Sequence, residues 1–149
     1  MLSLVTGGAR SGKSVFAENL AGGYGDVSYI ATAIPFDDEM KDRIKKHRLQ
    51  RPQSWQTLEA FCDFDSCSID EINEIEEKIK CEFEKLVCVI KERNVNAVLV
   101  TNEVGMGIVP ENRLSRIFRD IAGRINQYLA KQADEVYLVT CGIEMKIKG

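Results

Sequence analysis

The sequence holds little of what would point to a membrane, a metal centre or a nucleic acid. Its five cysteines form no CxxC pair and its single histidine is not near them, which favours free thiols in a reducing compartment over a metal or disulfide framework. No apolar run approaches the ~18 residues that a membrane span needs, and the N-terminal pattern is not that of a signal peptide. The net charge of -3 argues against nucleic-acid binding. We therefore expect a cytoplasmic protein.

The chain does have enough length and apolar content for one hydrophobic core. Its 149 residues are 44% apolar and 29% charged, values that are ordinary for a globular protein. At roughly 150 residues per domain, we expect residues 1–149 to form a single domain.

Short apolar runs alternate with helical patterns along the chain. Strands are predicted at 2–6, 27–32, 55–58, 96–101 and 135–140, and helices at 14–21, 35–51, 69–93 and 112–131. The longest helical pattern, at 69–93, is interpreted as a packing helix because its apolar residues recur every three or four positions. Alternation of strands and helices predicts an α/β fold with a mainly parallel sheet.

A complete phosphate-loop motif, G-x-x-x-x-G-K-S, lies between the first predicted strand and the first predicted helix. Its glycines allow successive N–H groups to point at phosphate oxygens, at the positive end of the helix. Lys13 adds a charge for the β- and γ-phosphates, and the Ser14 hydroxyl can ligate Mg²⁺. The motif predicts binding of a nucleoside triphosphate, against the simpler interpretation of a turn that binds nothing. Its residues are Gly7, Gly8, Ala9, Arg10, Ser11, Gly12, Lys13 and Ser14.

The single histidine, His47, lies in a basic stretch. Residues 43–51 hold five basic residues besides the imidazole. The simple interpretation is a solvated basic helix face. The alternative is that His47 attacks a nucleotide phosphate while the neighbouring cations steady the triphosphate. The residues alone leave both interpretations open.

A second candidate ligand loop, Asn102–Pro110, follows the strand predicted at 96–101 and contains a carboxylate, Glu103, and two glycines. Ligand-contacting loops in open α/β sheets occur at such strand ends, although a purely structural turn would have the same composition. The arginines of the next helix form either a charged outer face or contacts to a neighbouring subunit.

Taken together, these stretches closely resemble the bifunctional adenosylcobinamide kinase / adenosylcobinamide-phosphate guanylyltransferase family of cobalamin assembly. The resemblance covers residues 1–59 and about 95–148, and it implies a three-layer P-loop NTPase-like domain of RecA-like type with a mainly parallel sheet. The stretches that carry it are Leu4–Ser14, Tyr29–Ala33, Asp38–Met40 with Arg43, Ile44 and His47, Arg51-Pro52 before Trp55, and Thr101–Arg113 with its continuation to Gln127.

The resemblance implies two reactions. The family phosphorylates the terminal hydroxyl of the aminopropanol arm of adenosylcobinamide. It then transfers GMP from GTP through histidine-bound GMP, which gives adenosylcobinamide-GDP and pyrophosphate. The implied cofactor is Mg²⁺ with GTP or ATP, the other partner is adenosylcobinamide, and the implied assembly is a homotrimer with sites near the subunit boundaries.

The same resemblance assigns the site residues. His47 is implied to be the nucleophile that carries GMP, Lys13 is implied to be catalytic, and Ser14 is implied to bind the metal. The remaining positions that the family uses for the nucleotide, outside the glycine motif, are Ala31, Thr32, Ala33, Arg48, Leu49, Gln50, Arg51 and Glu59.

One part of the family pattern is missing. Between Glu59 and the strand at 96–101 the family has a further apolar strand that ends in a carboxylate and a cysteine, whereas this chain has only residues 60–68 and the long helix. That strand carries the acidic partner of the Mg²⁺ ion and would lie near the centre of the sheet. Glu103 is a candidate substitute. Because this strand is missing, a second hypothesis is that the chain is a degenerate nucleotide-binding module without catalysis. A third hypothesis is a generic small-molecule kinase.

Overall fold

The computed structural model describes residues 1–32, 38–59 and 72–149. The chain divides into two compact units, which we call unit 1 (Met1–Leu20 with Ser68–Gly149) and unit 2 (Ala21–Cys67). The single domain over residues 1–149 stays a prediction. In chain order the elements are β1 (Leu2–Thr6), α1 (Lys13–Gly22), β2 (Ser28–Ala31), α2 (Asp38–Gln50), β3 (Gln56–Glu59), α3 (Ile72–Glu92), β4 (Ala97–Val100), α4 (Arg113–Gln132), β5 (Glu135–Thr140) and β6 (Ile143–Lys148).

Unit 1 is built on a mainly parallel sheet with the order β4-β1-β5-β6. β1 is parallel to both of its neighbours, and Leu4 stands opposite Leu99 on one side and Val136 on the other. β1 is buried along almost its whole length because it has a strand on each side and helices on both faces. The predicted mixed α/β fold with a mainly parallel sheet is confirmed.

The two faces of this sheet carry separate apolar clusters. On one face Leu2 and Leu4 pack with α3 and α4, and on the other face Val5 packs with Val139 and with Ala17 of α1. The apolar stripe predicted for residues 69–93 is confirmed as a packing face over the described part of that helix, through buried Val87 and Ile90. The sequence pattern therefore gives α3 and α4 one apolar face each, which packs in the cluster on this sheet.

β6 was not predicted. It forms an antiparallel hairpin with β5 across a two-residue turn, in which Cys141 (φ 54°) and Gly142 (φ 78°) are both left-handed. Such a turn matches the twist of the flanking strands. Lys146 Nζ donates to Glu135 across the hairpin at 2.7 Å, and this bond holds the pKa of the Glu135 carboxyl below its usual value.

Unit 2 contains α2 and a two-stranded parallel sheet. β2 and β3 pair in a register that sets Ala31 beside Glu59, and the Gln56 N–H donates to the Val27 carbonyl at 3.2 Å just before the ladder. Among the described residues these two strands pair with no third strand. A sheet of two strands is marginal without further partners.

Residues 60–68, where the family pattern breaks off, lie outside the described residues, as do Cys62 and Cys67. The thiols of Cys81, Cys88 and Cys141 are free and exposed. No helix in the described ranges is long and apolar enough to cross a bilayer.

Candidate active site

The glycine loop (Gly7–Ser14) joins the carboxyl end of β1 to the first turn of α1, as the motif predicts. The Ser11 N–H donates to the Gly8 carbonyl at 3.3 Å, and the Phe16 N–H donates to the Gly12 carbonyl at 3.1 Å, which starts the helix. Arg10 (φ 56°) and Gly12 (φ 94°) are left-handed on either side of Ser11. An alternation of this kind turns successive N–H groups toward one point and forms an anion-binding nest.

Lys13 is held inside this loop. The residue is only 8% exposed, and its ammonium donates to the Gly8 carbonyl at 3.1 Å. A lysine is buried in this way only when hydrogen bonds compensate for the lost hydration. The loop therefore keeps a positive charge beside its own backbone nest.

The β5–β6 turn closes one side of the glycine loop. The Gly142 N–H donates to the Ser11 carbonyl at 2.8 Å, and a Cβ at Gly12 would lie 3.1 Å from Gly142 Cα. Gly12 is thus required both for its backbone angle and for the close approach of the turn. Ser11 Oγ is buried and has no hydrogen-bond partner among the described residues.

The loop after β4 lies against the other side of the glycine loop. The Glu103 N–H donates to the Gly7 carbonyl at 3.0 Å, and the Glu103 carboxylate accepts the Gly105 N–H at 2.6 Å. Asn126 of α4 fixes the start of this loop, since its Nδ2 donates to the Asn102 carbonyl at 3.0 Å and its Oδ1 accepts the Thr101 hydroxyl at 2.7 Å. The sequence therefore placed Glu103 correctly at a strand end, and the fold sets it beside the glycine loop.

A cleft of about 330 Å³ opens between these segments. It lies at the carboxyl ends of β1, β4 and β5, where ligands bind in open α/β sheets. Its lining consists of Gly8, Ala9, Arg10, Ser11, Glu103, Met106, Leu138, Val139, Thr140 and Cys141. The contribution of Thr140 and Cys141 was not predicted from the sequence. The signal was the strict alternation of apolar and charged residues at 143–148, which indicates a hairpin after β5.

A second, shallower cleft of about 290 Å³ lies along α4, and its lining is Gly105, Arg119, Asp120, Gly123, Arg124 and Gln127. Both guanidinium groups have protein partners. Arg124 forms a two-point ion pair with Glu76 of α3, and its hydrogen bonds hold the pKa of the Glu76 carboxyl below its usual value. Arg119 pairs with the adjacent Asp120 at 3.2 Å. These pairs favour a structural role for the arginines of α4.

Unit 2 carries the predicted nucleophile. His47 lies in the last turn of α2 and is half-buried, and its Nδ1 is buried with no hydrogen-bond partner among the described residues. Arg48 and Leu49 are exposed next to it. The guanidinium carbon of Arg51 lies 3.3 Å from the centroid of the Tyr29 ring, and this cation-π contact ties the end of α2 to β2.

The other predicted nucleotide-binding residues of unit 2 lie at the ends of its elements. Ala31 and Glu59 are the last residues of β2 and β3 and stand side by side in the parallel ladder. Thr32 follows β2, Gln50 ends α2, and Ala33 lies outside the described residues. The predicted site residues thus form one group in unit 1, around the glycine loop, and one group in unit 2, around His47.

Gly7 is the position of the glycine loop that other atoms approach most closely, and this leads to a prediction about stability. A Cβ at Gly7 would collide with the Val139 carbonyl oxygen and lie 2.6 Å from Ser11 Oγ, whereas a Cβ at Gly8 would meet nothing within 4 Å. We expect Gly7→Ala to lower the free energy of unfolding by about 1–3 kcal/mol, as overpacking against backbone does. Urea unfolding measures this. Gly8→Ala is the matched control, and equal stabilities of the two variants would contradict the close approach.

Comparison with known proteins gives consistent matches over the whole chain. A model of the family described as cobinamide kinase / cobinamide phosphate guanyltransferase matches residues 3–73 and 65–147. The chain is 44% identical to the bifunctional adenosylcobalamin biosynthesis protein CobU of Escherichia coli, with 99% of this chain and 100% of the relative covered. The Salmonella typhimurium protein of the same name matches at the same identity and coverage. The Pseudomonas aeruginosa protein CobP is 36% identical, over 100% of this chain and 98% of the relative.

These alignments also show how many residues this chain lacks relative to its relatives. The alignment with the E. coli protein runs over 181 positions, whereas this chain has 149 residues, so at least 32 positions have no counterpart here. The two segments matched by the family model overlap at residues 65–73, between β3 and the start of α3. The chain is therefore shorter than these relatives, and the family match is interrupted where the sequence pattern breaks off.

Proposed function

The chain belongs to the cobinamide kinase / cobinamide phosphate guanyltransferase family, and we propose that it phosphorylates adenosylcobinamide and then transfers GMP from GTP to the resulting phosphate. The observation that carries this proposal is the complete glycine loop, with its left-handed residues and its inward lysine, in a chain that aligns from end to end with bifunctional relatives. The matches do not favour the degenerate module as an alternative.

The wider fold assignment is part of the proposal. A strand that runs into a glycine loop and a helix, at the middle of a parallel sheet covered on both faces, is the arrangement of a P-loop NTPase-like domain. Unit 1 has these features through β1, the glycine loop and α1. We assign it to the RecA-like, three-layer type.

In the kinase reaction, the terminal hydroxyl oxygen of adenosylcobinamide attacks the γ-phosphorus of the nucleotide. The bond from the γ-phosphorus to the bridging oxygen breaks, the nucleoside diphosphate leaves, and the hydroxyl proton passes to solvent. The chain contributes positioning and charge, because little covalent chemistry is left for the protein in phosphoryl transfer. Lys13 and the N–H groups of the glycine loop hold the oxygens on which negative charge accumulates.

In the guanylyl transfer, His47 attacks the α-phosphorus of GTP and pyrophosphate leaves with the electrons of the broken P–O bond. A phosphate oxygen of adenosylcobinamide phosphate then attacks the same phosphorus, and the P–N bond breaks to release adenosylcobinamide-GDP. The reacting atom is Nε2, because Nδ1 is buried. Neutral imidazole is a competent nucleophile for such a covalent step. Arg48 and Arg51 supply positive charge next to it.

The remaining residues of unit 2 complete the proposed nucleotide contacts. The carboxyl ends of β2 and β3 lie beside one another and offer backbone groups. They are assigned on the family resemblance of their positions, and they are Ala31, Thr32, Ala33, Leu49, Gln50 and Glu59.

The Ser14 hydroxyl of the glycine loop fits Mg²⁺ that arrives with the nucleotide. Mg²⁺ keeps several waters and needs only one or two protein oxygens besides the phosphates. Ser14 supplies a hydroxyl in the loop, and Glu103 is the carboxylate that lines the adjoining cleft. Bound in this way, the ion would neutralise charge on the phosphates.

The shortened middle of the chain leads to a prediction about Mg²⁺. With Ser14 as the one dedicated protein ligand, the ion would stay largely on the nucleotide and its waters. We expect EDTA to weaken GTP binding by less than about tenfold, or ~1.4 kcal/mol. Titration calorimetry with and without Mg²⁺ measures this, with the exposed Glu144→Gln as a control for Glu103→Gln. If EDTA weakens GTP binding by more than tenfold in the wild type and in Glu144→Gln but not in Glu103→Gln, the prediction is wrong. Glu103 would then be the carboxylate that binds Mg²⁺.

Assembly and location are also proposals. The loop after β4 and the first turns of α4 expose a group of large apolar side chains, which suits a contact between subunits; they are Met106, Ile108, Val109, Leu114 and Phe118. We assign this surface to the homotrimer that the family resemblance implies. The exposed thiols of Cys81, Cys88 and Cys141 suit a cytoplasmic enzyme.

One experiment tests the proposed function as a whole. The chain is incubated with adenosylcobinamide, ATP and GTP labelled at the α-phosphate, and the products are separated by chromatography. We expect labelled adenosylcobinamide-GDP and, without the cobinamide, a label on the protein that is labile to acid and stable to base. Nucleotide binding without either labelled species would favour the degenerate module, and phosphorylated product without GMP transfer would favour a simple kinase.

A further inference from the structure

The residues that follow β4 continue the pairing between β4 and β1 into the glycine loop. The Thr101 N–H donates to the Val5 carbonyl at 2.9 Å, and the Glu103 N–H donates to the Gly7 carbonyl at 3.0 Å. Donors two residues apart thus meet acceptors two residues apart, which is the spacing of a parallel ladder. The first residue of the glycine loop is therefore bonded to the backbone of Glu103.

Asn126 of α4 holds the residue that lies between these two donors. Successive residues of a paired strand direct their backbone groups to alternate sides, so the Asn102 carbonyl faces away from β1. The Asn126 Nδ2 donates to this carbonyl at 3.0 Å, and its Oδ1 accepts the Thr101 hydroxyl at 2.7 Å. A side-chain amide carries a donor group and an acceptor, and both are used here. Asn126 therefore fixes the backbone and a side chain at the end of β4.

α4 keeps this amide in a fixed place. Asn126 follows Ile125 and lies three residues before Leu129, and both of these apolar side chains are buried in the cluster on the sheet. At the next position along the helix, Arg124 makes a two-point ion pair with Glu76 of α3. A group that holds a site in place acts best from a packed helix or strand. The end of β4 is thus anchored to a packed part of α4.

The loop after β4 forms one wall of the cleft beside the glycine loop. Glu103 and Met106 line this cleft, and the Glu103 carboxylate accepts the Gly105 N–H at 2.6 Å. Since the cleft opens beside the loop that we assign to the phosphates, a second substrate that reaches the γ-phosphate there meets this wall.

The nest of the glycine loop has supports that do not involve Asn126. The Lys13 ammonium donates to the Gly8 carbonyl at 3.1 Å, and the Gly142 N–H donates to the Ser11 carbonyl at 2.8 Å. These bonds hold the segment that we assign to the nucleotide phosphates. A change at Asn126 would therefore move the wall of the cleft more than the nest.

We propose that Asn126 is a positioning residue of the phosphoryl transfer, which acts through the loop after β4 and touches neither the nucleotide nor the cobinamide. It keeps Glu103 and Met106 in place, so that the attacking hydroxyl is held at the γ-phosphate. This inference rests on the kinase reaction proposed above. Catalysis of such a transfer comes mainly from alignment of the reacting groups, and a displacement of about 1 Å costs about a hundredfold in rate.

Steady-state phosphorylation of adenosylcobinamide by the full chain tests this role. We expect Asn126→Ala to lower kcat by about tenfold to a hundredfold. The affinity for ATP and GTP, measured by titration calorimetry, should stay within about twofold of that of the wild type, because an interaction made through the acceptor side acts on turnover. An unchanged kcat would overturn the proposal, and so would a loss of nucleotide affinity as large as the loss of kcat.

Variants of Thr101 test whether the hydrogen bonds carry the effect. Thr101→Val removes the hydroxyl that donates to Asn126 and should also lower kcat, whereas Thr101→Ser keeps a hydroxyl and should keep most of the activity. The double variant of Asn126→Ala and Thr101→Val should lose no more than Asn126→Ala alone, because the two residues share one contact. Additive losses in the double variant would contradict the proposal.

Lys148→Met is the matched control for a general loosening of α4. The Lys148 ammonium donates to three carbonyls at the other end of that helix, those of Ala130, Lys131 and Ala133. We expect this variant to lower the unfolding temperature and to leave kcat unchanged. An equal fall of kcat in Lys148→Met and in Asn126→Ala would assign the effect to the stability of α4 and overturn the proposal.

Hydrogen exchange of the ligand-free chain gives a readout that does not depend on the reaction. In Asn126→Ala the Glu103 and Gly105 amides should exchange at least about tenfold faster than in the wild type, and in Lys148→Met they should not. Exchange at the wild-type rate in Asn126→Ala would overturn the proposal. A wild type that does not phosphorylate adenosylcobinamide would overturn the proposed function together with this role, whereas an active wild type with an equally active Asn126→Ala would overturn this role alone.

Discussion

Replacing His47 by alanine is expected to abolish the transfer of GMP while GTP binding persists. The imidazole forms a covalent bond in only one of the two proposed reactions, and the rest of its α2 turn stays in place. Without the nucleophile the covalent intermediate cannot form, so turnover should fall by several orders of magnitude, as it does when other covalent catalysts lose their nucleophile. The measurement is transfer of label from α-labelled GTP to the protein, with GTP affinity determined in parallel.

Two further variants distinguish loss of the nucleophile from a general disturbance of α2. His47→Asn retains a side chain of similar size and should be equally inactive in GMP transfer, whereas Asp42→Ala, at an exposed position of α2 outside the proposed site, should be active. Phosphorylation of adenosylcobinamide should continue in all three proteins. Formation of the GMP adduct at wild-type yield in either His47 variant would show that another residue carries the chemistry.

Lys13→Ala is expected to remove productive triphosphate binding while the fold is kept. The ammonium is held at the Gly8 carbonyl, beside the nest of N–H groups to which we assign the phosphates. Loss of one charge-assisted phosphate contact should cost roughly 1.5–3 kcal/mol, or about tenfold to more than a hundredfold in GTP affinity. Isothermal titration with GTP measures this difference.

Burial of the lysine stem calls for a second variant at the same position. Lys13→Met keeps most of the packed stem and removes only the charge, so it should lose as much GTP affinity as Lys13→Ala and unfold at a temperature closer to that of the wild type. An alanine substitution of exposed Lys78, on α3, serves as the control for a general loss of positive charge. Unchanged GTP affinity in Lys13→Met would remove Lys13 from the proposed site.

Much of the fold follows from local patterns. β1 could be predicted because it is a short apolar run stopped by two glycines, and α3 because its apolar residues repeat with helical spacing over six turns. β6 was missed because its apolar residues, Ile143, Met145 and Ile147, all lie at the surface. A strand of this kind is held by backbone pairing with β5 rather than by burial of its side chains. Only the alternation of apolar and charged residues in its sequence indicates it.

The candidate site was predictable to a different degree in its two units. The glycine loop has a fixed spacing because one short segment must supply the nest, the charge and the hydroxyl, so its sequence alone reveals it. Cys141 could not be found in this way, because it lines the cleft only through a turn more than 120 residues further along the chain. The role of His47 could not be predicted from the residues either, because no spacing pattern distinguishes a nucleophilic histidine in a basic helix from a solvated one. Only the family resemblance favoured the role of nucleophile.

The position of β1 in the sheet has a consequence for protein synthesis. β1 is synthesised well before both strands that pair with it, Ala97–Val100 and Glu135–Thr140. Its first bond to the second neighbour, from the Leu2 N–H to Asp134, spans 132 residues. At about 5–20 residues per second, translation of that interval takes roughly 7 to 26 s. The glycine loop gains its contact with the segment after β4 first and its contact with the Cys141–Gly142 turn only at the end of this time. The contacts that hold the loop are therefore complete only late in synthesis, and ATP or GTP would act as a ligand that stabilises the folded chain.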